Sequence, residues 1–362
     1  MTYDFGKNIK LSVYGGSHEP SVGFSLDGLP ARSVISLERL QAFLDRRAPG
    51  RNAYTSSRKE ADCPVFVKGL HDNTLTGETL IAQLPNSDVR SQDYHFQDIP
   101  RPSHADYTGF LKYGDSVSLS GGGPFSGRMT APLCVAGGIA LQLLEKQGIC
   151  IGAHLLQIGN LLDTPFPLMP EDELLSSLSE KSFPVLDDAV GEEMKQQLES
   201  LRQQGDSIGA NVECVALHVP AGIGGPLFDG LESKLSAALF AIPGVKAISF
   251  GSGTKAASML GSQHNDPFVW DGSQVKTKTN YSGGIQGGIS NGMPLLLQVT
   301  FKPTASIGIP QQTLRLSDKQ EVSLTIEGRH DPCIAVRGVP VVEAVTALVL
   351  LDELLGEKHD TQ

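Results

Sequence analysis

Cysteine is scarce in this chain: five among 362 residues, an odd number, scattered and without a C-x-x-C pair. That excludes a disulfide framework and reads as reduced thiols packed as small apolar side chains. Basic residues are also in short supply, 29 Lys and Arg against 40 Asp and Glu, for a formal charge of −11. A field of that sign repels nucleic acid and anionic membranes, so neither is an expected partner. Long apolar runs are missing too. Ala131–Leu144 is too short to cross a bilayer and Val339–Leu351 is broken by Glu343. The opening Met1-Thr-Tyr-Asp-Phe-Gly-Lys-Asn8 has no basic segment leading into an apolar one. No signal peptide is read there, and a cytoplasmic location is expected. There is no G-K-[ST] of a Walker A loop and no H-E-x-x-H, so neither that phosphate cradle nor a metal site is expected. No low-complexity linker and no short repeat divides the chain.

What is abundant is glycine, 40 residues or about 11%, against a norm of ~7%. Without a G-X-Y period this means many tight turns or close approaches of backbone to a ligand. Apolar residues at 40% supply a core of ordinary size.

The pattern predicts strands at 8–14, 208–219, 245–250 and 294–301. Helices are predicted at 37–47, with Ser36 as N-cap, and at 128–147, 171–179, 188–204, 229–241 and 340–355. The 128–147 segment is apolar nearly all round, which requires burial against more than one neighbour. The last helix reads as amphipathic, and 51–62 as a polar loop. Buried helices interleaved with strands favour one α+β domain over residues 1–362.

Against the acidic background, Arg46, Arg47, Arg51, Arg58 and Lys59 crowd into fourteen residues. Guanidinium forks bind phosphate and carboxylate through paired hydrogen bonds, so converging arginines suit a multiply charged anion. The plainer reading is a solvated loop paired with Asp45, Glu60 and Asp62. Glycine clusters at 121–123, 283–284 and 287–288 allow close approach of an anion or a planar group. Gly251-Ser-Gly-Thr-Lys-Ala256 fits G-x-G-x-x-A but lacks a clear following strand, so a turn is expected. Gly205-Asp-Ser-Ile-Gly209 and Gly288-Ile-Ser-Asn-Gly292 fit G-x-S-x-G, yet both serines lead into strands. A nucleophile elbow needs strand, turn, helix, and Ser207 and Ser290 are rejected. His18, His104 and His330 sit in polar turns beside arginine or glycine, where imidazole suits general acid work toward a phosphate.

These segments together resemble the chorismate synthase family. The resemblance is carried by Tyr14-Gly-Gly-Ser-His-Glu19, Asp45-Arg-Arg-Ala-Pro-Gly50, Arg101-Pro-Ser-His-Ala-Asp106 and Gly121-Gly-Gly-Pro-Phe-Ser-Gly-Arg-Met-Thr-Ala131. It continues through Ile242-Pro-Gly-Val-Lys246, Gly283-Gly-Ile-Gln-Gly-Gly-Ile-Ser-Asn-Gly292, Phe301-Lys-Pro-Thr-Ala-Ser-Ile307 and Gly328-Arg-His-Asp-Pro-Cys333, in the family's order. It implies a β-α-β sandwich, with helices between antiparallel sheets, assembled as a homotetramer. It also implies a trans-1,4 elimination of phosphate from 5-enolpyruvylshikimate 3-phosphate to chorismate, with reduced FMN required.

By this resemblance His18 is the acid that eases phosphate departure, His104 meets the flavin, and Asp331 helps carry away the C6 proton. Ser17, Arg46, Arg47, Arg58, Arg128 and Arg329 match substrate-binding positions. Flavin-contacting positions map to Pro124, Phe125, Ser126, Pro243, Gly244, Gly287, Lys302, Pro303, Thr304, Ala305, Ser306 and Arg329. Arg47 matches a position also assigned to nicotinamide nucleotide in some members, so NADPH enters only as a reductant of the flavin. The chain departs from the family pattern at Gly16, Glu19, Ala48, Ala53, Pro124, Phe125 and Met129. Those departures leave a non-catalytic flavin- or anion-binding relative as the alternative reading.

Overall fold

The computed structural model describes residues 2–50, 55, 61–86, 96–114, 120–326 and 330–360. Two five-stranded antiparallel sheets face each other across a layer of helices. The first sheet holds β1 (Thr2–Phe5), β2 (Lys10–Gly15), β3 (Ser21–Asp27), β4 (Val65–Lys68) and β5 (Leu80–Pro85) in the order β1-β2-β3-β5-β4. The second holds β6 (Cys150–Ile158), β7 (Leu161–Leu162), β8 (Ala210–Leu217), β9 (Val245–Phe250) and β10 (Leu295–Phe301) in the order β9-β10-β8-β6-β7.

Period-2 alternation explains the inner faces. Val22, Phe24 and Leu26 of β3 and Leu80, Ala82 and Leu84 of β5 are buried, as are Leu295, Leu297, Val299 and Phe301 of β10. Strand β8 is buried along both faces. Its outward Val215 and Leu217 pack with Phe166, Leu175 and Leu178 in a second apolar cluster.

Three helices fill the middle layer: α1 (Leu37–Arg47), α3 (Thr130–Glu145) and α7 (Ala335–Asp360), with α2 (Asp106–Tyr113) at the edge. Helix α1 has the expected bounds, and the Ser36 hydroxyl accepts from Arg39 N at 3.2 Å. Helices α4 (Asp172–Glu180), α5 (Asp188–Gln204) and α6 (Leu231–Leu239) match expected segments within two residues at each end. Helix α3 and its leading turn, Gly127–Glu145, are long and apolar enough to cross a membrane, but 83% of that stretch is buried inside the protein. It is a core helix. A Cβ on Gly137 would stand 2.4 Å from that of Ala344, so glycine permits the closest approach of α3 to α7.

Helix α7 departs from its expected form. It begins at Ala335, five residues before Pro340, and its apolar side chains are buried all round instead of on one stripe. Its Asp352 carboxylate reaches back to the chain's beginning. It accepts from the backbone N–H groups of Lys7 (3.0 and 3.1 Å), Asn8 (2.6 Å) and Ile9 (2.8 Å).

One charged cluster is buried against the second sheet. His154 Nδ1 is 3.1 Å from Asp163 and its Nε2 3.1 Å from Glu213, all three fully or almost fully buried. Burial pushes the imidazole down, but hydrogen bonds to Asp163 and Glu213 and their charges outweigh it, so its pKa is raised. Asp163 is lowered: burial opposes, and hydrogen bonds from His154 and from the Leu186 and Asp187 amides prevail. The His154 contribution is therefore complete below its unfolded value of about 6.5 and is lost as pH climbs through the raised folded value. The Asp163 contribution is lost as pH falls from about 4 through the lowered one. We expect His154→Leu to cost about 3–5 kcal/mol and to flatten the alkaline fall in thermal midpoint, as calorimetry across pH 5 to 9 would record.

Candidate active site

Between the sheet ends and the helix layer lies a cavity of about 740 Å³, within the range of small-molecule sites. Among the described residues, six cationic side chains line it, Arg47, Arg101, Arg128, Lys246, Lys302 and Arg337, with Asp331 as the single acidic one. His18, His104 and His330 also face it. The acidic chain thus keeps a cationic interior where an anion would enter.

The floor is organised by Asp62, fully buried below the arginines. Arg47 Nε and Nη2 donate to its two oxygens at 2.5 and 2.9 Å, and Arg128 Nη1 donates at 2.5 Å. Arg47 also donates to Thr130 Oγ1 at 3.1 Å, and Arg128 to Asn86 Oδ1 at 2.9 Å and the Pro85 carbonyl at 3.1 Å. Burial alone would raise the Asp62 carboxyl, but Arg47, Arg128 and Arg337 together hold it below the usual range. The pairing with Asp62 expected of a solvated loop exists, but in the interior, with Arg47 only 2% exposed.

Adjacent Arg46 points elsewhere, because successive helix residues diverge by about 100°. Its fork closes on Glu343 of α7 at 2.6 and 2.8 Å, and it does not line the cavity. Arg46, expected to hold substrate, is thus not brought to this cavity with Arg47. Gly287 also lies outside the cavity lining, in the hairpin formed by Ile285–Gln286 and Ile289–Ser290. Arg58 and Arg329, with Arg51, Ala53 and Lys59, fall outside the described residues.

The glycine triplet shapes the second wall. Gly121, Gly122 and Gly123 all take positive φ, at 61, 93 and 49°. The Ser17 hydroxyl, buried beneath them, donates to the Gly121 carbonyl at 3.2 Å and lies 3.2 Å from His18 Nδ1. A Cβ on Gly121 would fall 1.8 Å from His18 Cε1. Gly121→Ala therefore both strains a left-handed residue and evicts the imidazole. We expect any turnover that depends on His18 to fall on the order of 100-fold, as kcat of the variant against wild type would record.

Past the triplet, Pro124, Phe125 and Ser126 line the cavity; the Phe125 ring packs 6.4 Å from that of Tyr113. The Ser126 hydroxyl accepts from Arg128 N at 3.2 Å. Met129 and Ala48, two further departures from the family pattern, are buried core residues.

The third wall comes from Arg101 to Asp106 and the segment after β10. Arg101 closes on Asp106 at 2.7 and 2.8 Å and reaches Ser306 Oγ at 3.0 Å. His104 Nδ1 lies 2.7 Å from the same carboxylate, which turns the Cε1–Nε2 edge toward Gly122. The hydrogen bonds from Arg101 and His104 hold Asp106 far below the usual carboxylate range although burial opposes them. Neither Arg101 nor Asp106 was assigned a role from sequence, though the R-x-x-H-x-D spacing holds the signal.

Pro243, Gly244, Lys302, Pro303, Thr304, Ala305 and Ser306 all line the cavity. Lys302 donates to the Ser103 carbonyl, and burial, then neighbouring Lys246, pushes its pKa down. Asp331 is fixed through its carbonyl, which accepts from Thr304 Oγ1 at 2.9 Å, and through its carboxylate, which meets Arg337 Nη1 at 2.9 Å. His330 is lowered by burial, then by Arg101, with Asp331 opposing. Ser207 donates to the Thr304 carbonyl at 2.8 Å and Ser290 to that of Pro220 at 2.5 Å, which suits both to structural roles.

Fold and cavity together define an α+β protein whose sheets and buried helices frame a cationic cleft equipped with imidazoles and the Asp331 carboxylate. The family described as chorismate synthase matches residues 9–355. The chorismate synthase of Lancefieldella parvula is 46% identical, covering 98% of this chain and 96% of its own. That of Thermococcus gammatolerans is 41% identical with 98% of each chain covered. A solved chorismate synthase crystal structure shares the fold at a TM-score of 0.77 and 23% identity, over 98% of this chain and 93% of that one. The chain belongs to the chorismate synthase family.

Proposed function

We propose that the protein is a carbon–oxygen lyase that converts 5-enolpyruvylshikimate 3-phosphate to chorismate and phosphate with reduced FMN. The observation that carries this is the convergence of Arg47, Arg101, Arg128, His18, His104 and Asp331 on one cavity. Of the substituted positions, Ala48 and Met129 are core residues and Phe125 packs on Tyr113, which favours the lyase over a non-catalytic binding relative.

The cavity also suits a flavin mononucleotide. Ile242, Phe301 and Val341 offer apolar surface for a planar ring, and Lys302 and Lys246 offer charge for an anionic edge or a phosphate. Gly244, at φ +90°, also lines the cavity, packed where a Cβ would meet Ile334 at 2.5 Å. Reduced FMN, when bound, supplies transient electron density that weakens the allylic C–O bond.

The chain's own residues do the rest. Arg47 and Arg128, stiffened by Asp62, hold the substrate's anionic groups with Arg58 and Arg329. Arg46 is left out of this set. His18 delivers a proton to the departing phosphate, His104 faces the cofactor with its Nδ1 held beside Asp106 and Arg101, and Asp331 receives the proton lost from C6. Arg47 is tied to Asp62 and Thr130, and NADPH is assigned only to flavin reduction.

We further read residues 1–362 as one domain, because one apolar core joins both sheets. A homotetramer is proposed from the family resemblance, with exposed Phe228 (92%) and Trp270 (76%) available to a second copy, and the location is assigned to the cytoplasm. The deciding experiment is an anaerobic assay with and without chemically reduced FMN. Equal amounts of chorismate and phosphate, formed only with reduced flavin, support the lyase. FMN binding without turnover would favour the binding relative.

A further inference from the structure

Arg337 was not singled out by any sequence feature, yet it lies where two parts of the cavity meet. It stands in the opening turn of α7, close behind Asp331. Its Nη1 donates to Asp331 Oδ2 at 2.9 Å and its Nε to the Arg47 carbonyl at 2.9 Å. Its side chain keeps 20% of its surface exposed and that of Asp331 12%, so the pair is partly dry but still opens on the cavity. Because the guanidinium is planar, a bond at Nε and a bond at Nη1 fix the direction of one relative to the other.

The backbone around Asp331 is already held. Its carbonyl accepts from Thr304 Oγ1 at 2.9 Å, and the next carbonyl, of Pro332, accepts from Ile208 N at 2.8 Å. Side-chain rotation is the freedom that remains, and the Arg337 bond restrains it. We propose that Arg337 is a positioning residue of the reaction centre, holding the Asp331 carboxylate in one orientation and tying it to the end of the helix that carries Arg47. This deepens the lyase reading and rests on it. Burial, and then Arg47, press on the Arg337 charge while Asp331 and Asp62 oppose them, so the cation and its carboxylates depend on each other.

Lysine at this position keeps the charge but has no fork, so it can serve one acceptor and not both. The test compares Arg337→Lys and Arg337→Gln with Asp331→Asn and the Arg337→Lys/Asp331→Asn double variant. Each is assayed anaerobically with reduced FMN for kcat and KM and titrated separately for FMN affinity.

We expect Arg337→Lys to lower kcat by about 10- to 100-fold, with KM and flavin affinity within about twofold. In the Asp331→Asn background the same change should cost less than about threefold, the non-additivity of one coupled unit. Should Arg337→Gln not fold, Arg337→Lys decides alone. An equal loss in both backgrounds overturns the proposal, as does a raised KM at unchanged kcat, which marks a direct substrate clamp. Unchanged kcat in Arg337→Lys also overturns it while leaving the lyase reading intact. A wild-type protein that binds FMN but makes no chorismate removes both.

Discussion

Asp62→Asn should lower kcat/KM by on the order of 100- to 1000-fold and cost about 3–5 kcal/mol of stability. The carboxylate sits fully buried under two guanidinium groups, with bonds of 2.5 to 2.9 Å. Asparagine keeps the shape and one acceptor but leaves two cations facing each other without a counter-charge. Part of the loss is in folding, because an unpaired buried charge is costlier than the absent pair. The remainder is geometric: Arg47 and Arg128 no longer share one anchor, and an anion presented to them meets separated donors.

The lowered pKa of Asp62 adds a sign to the test. Its stabilisation is present above its unfolded value of about 3.9 and is lost as pH falls through the lower folded one. The wild type should therefore lose more stability between neutrality and acid than the variant does. Steady-state kinetics and pH-dependent melting measure the two halves; kcat/KM within tenfold of wild type, with an unchanged melting curve, would sink the role given to Asp62.

His18→Ala should reduce kcat by about 10²- to 10⁴-fold while FMN affinity holds, and Ser207→Ala should change kcat by less than about threefold. The imidazole of His18 is confined between the Ser17 hydroxyl and a glycine that tolerates no Cβ, an arrangement that serves a group whose direction matters. Ser207 has its hydroxyl hydrogen committed to a backbone carbonyl. Phosphate release and chorismate formation, followed together, check the pair of variants. A Ser207→Ala loss larger than that of His18→Ala would reverse the assignment and reopen the hydrolase motif that sequence context rejected.

What could be read from sequence was what is local. Helix α1 carries its own apolar stripe and its own capping serine, so its bounds followed from eleven residues and the one before them. The arginine-rich run was legible as charge, but direction was not. Whether Arg46 or Arg47 faces the cavity depends on Glu343, 297 positions away. Asp62 looked like a loop acid because its partner Arg128 is 66 residues further on.

The start of α7 was misread for a related reason. Pro340 fits a first helical turn locally, yet the preceding turn forms and is held in place by Arg337, whose partners are Arg47 and Asp331. The amphipathic reading of the same helix failed because layers cover it on more than one side, a property of the assembly of elements and not of the segment.

The bonds from Asp352 to Lys7, Asn8 and Ile9 span some 344 positions and bear on how the chain comes to be folded during synthesis. A ribosome releases β1 to β3 long before it makes the residue that anchors the segment between the first two. The segment between the first two strands therefore waits, unanchored, for a helix encoded at the far end of the message, although α3 can already cover the inner face of their sheet. Closure of such distant contacts is slow because the loop between them must be brought together first. Folding is then completed only after translation, and chains stalled or cleaved before residue 352 leave the backbone amides of residues 7–9 without their acceptor.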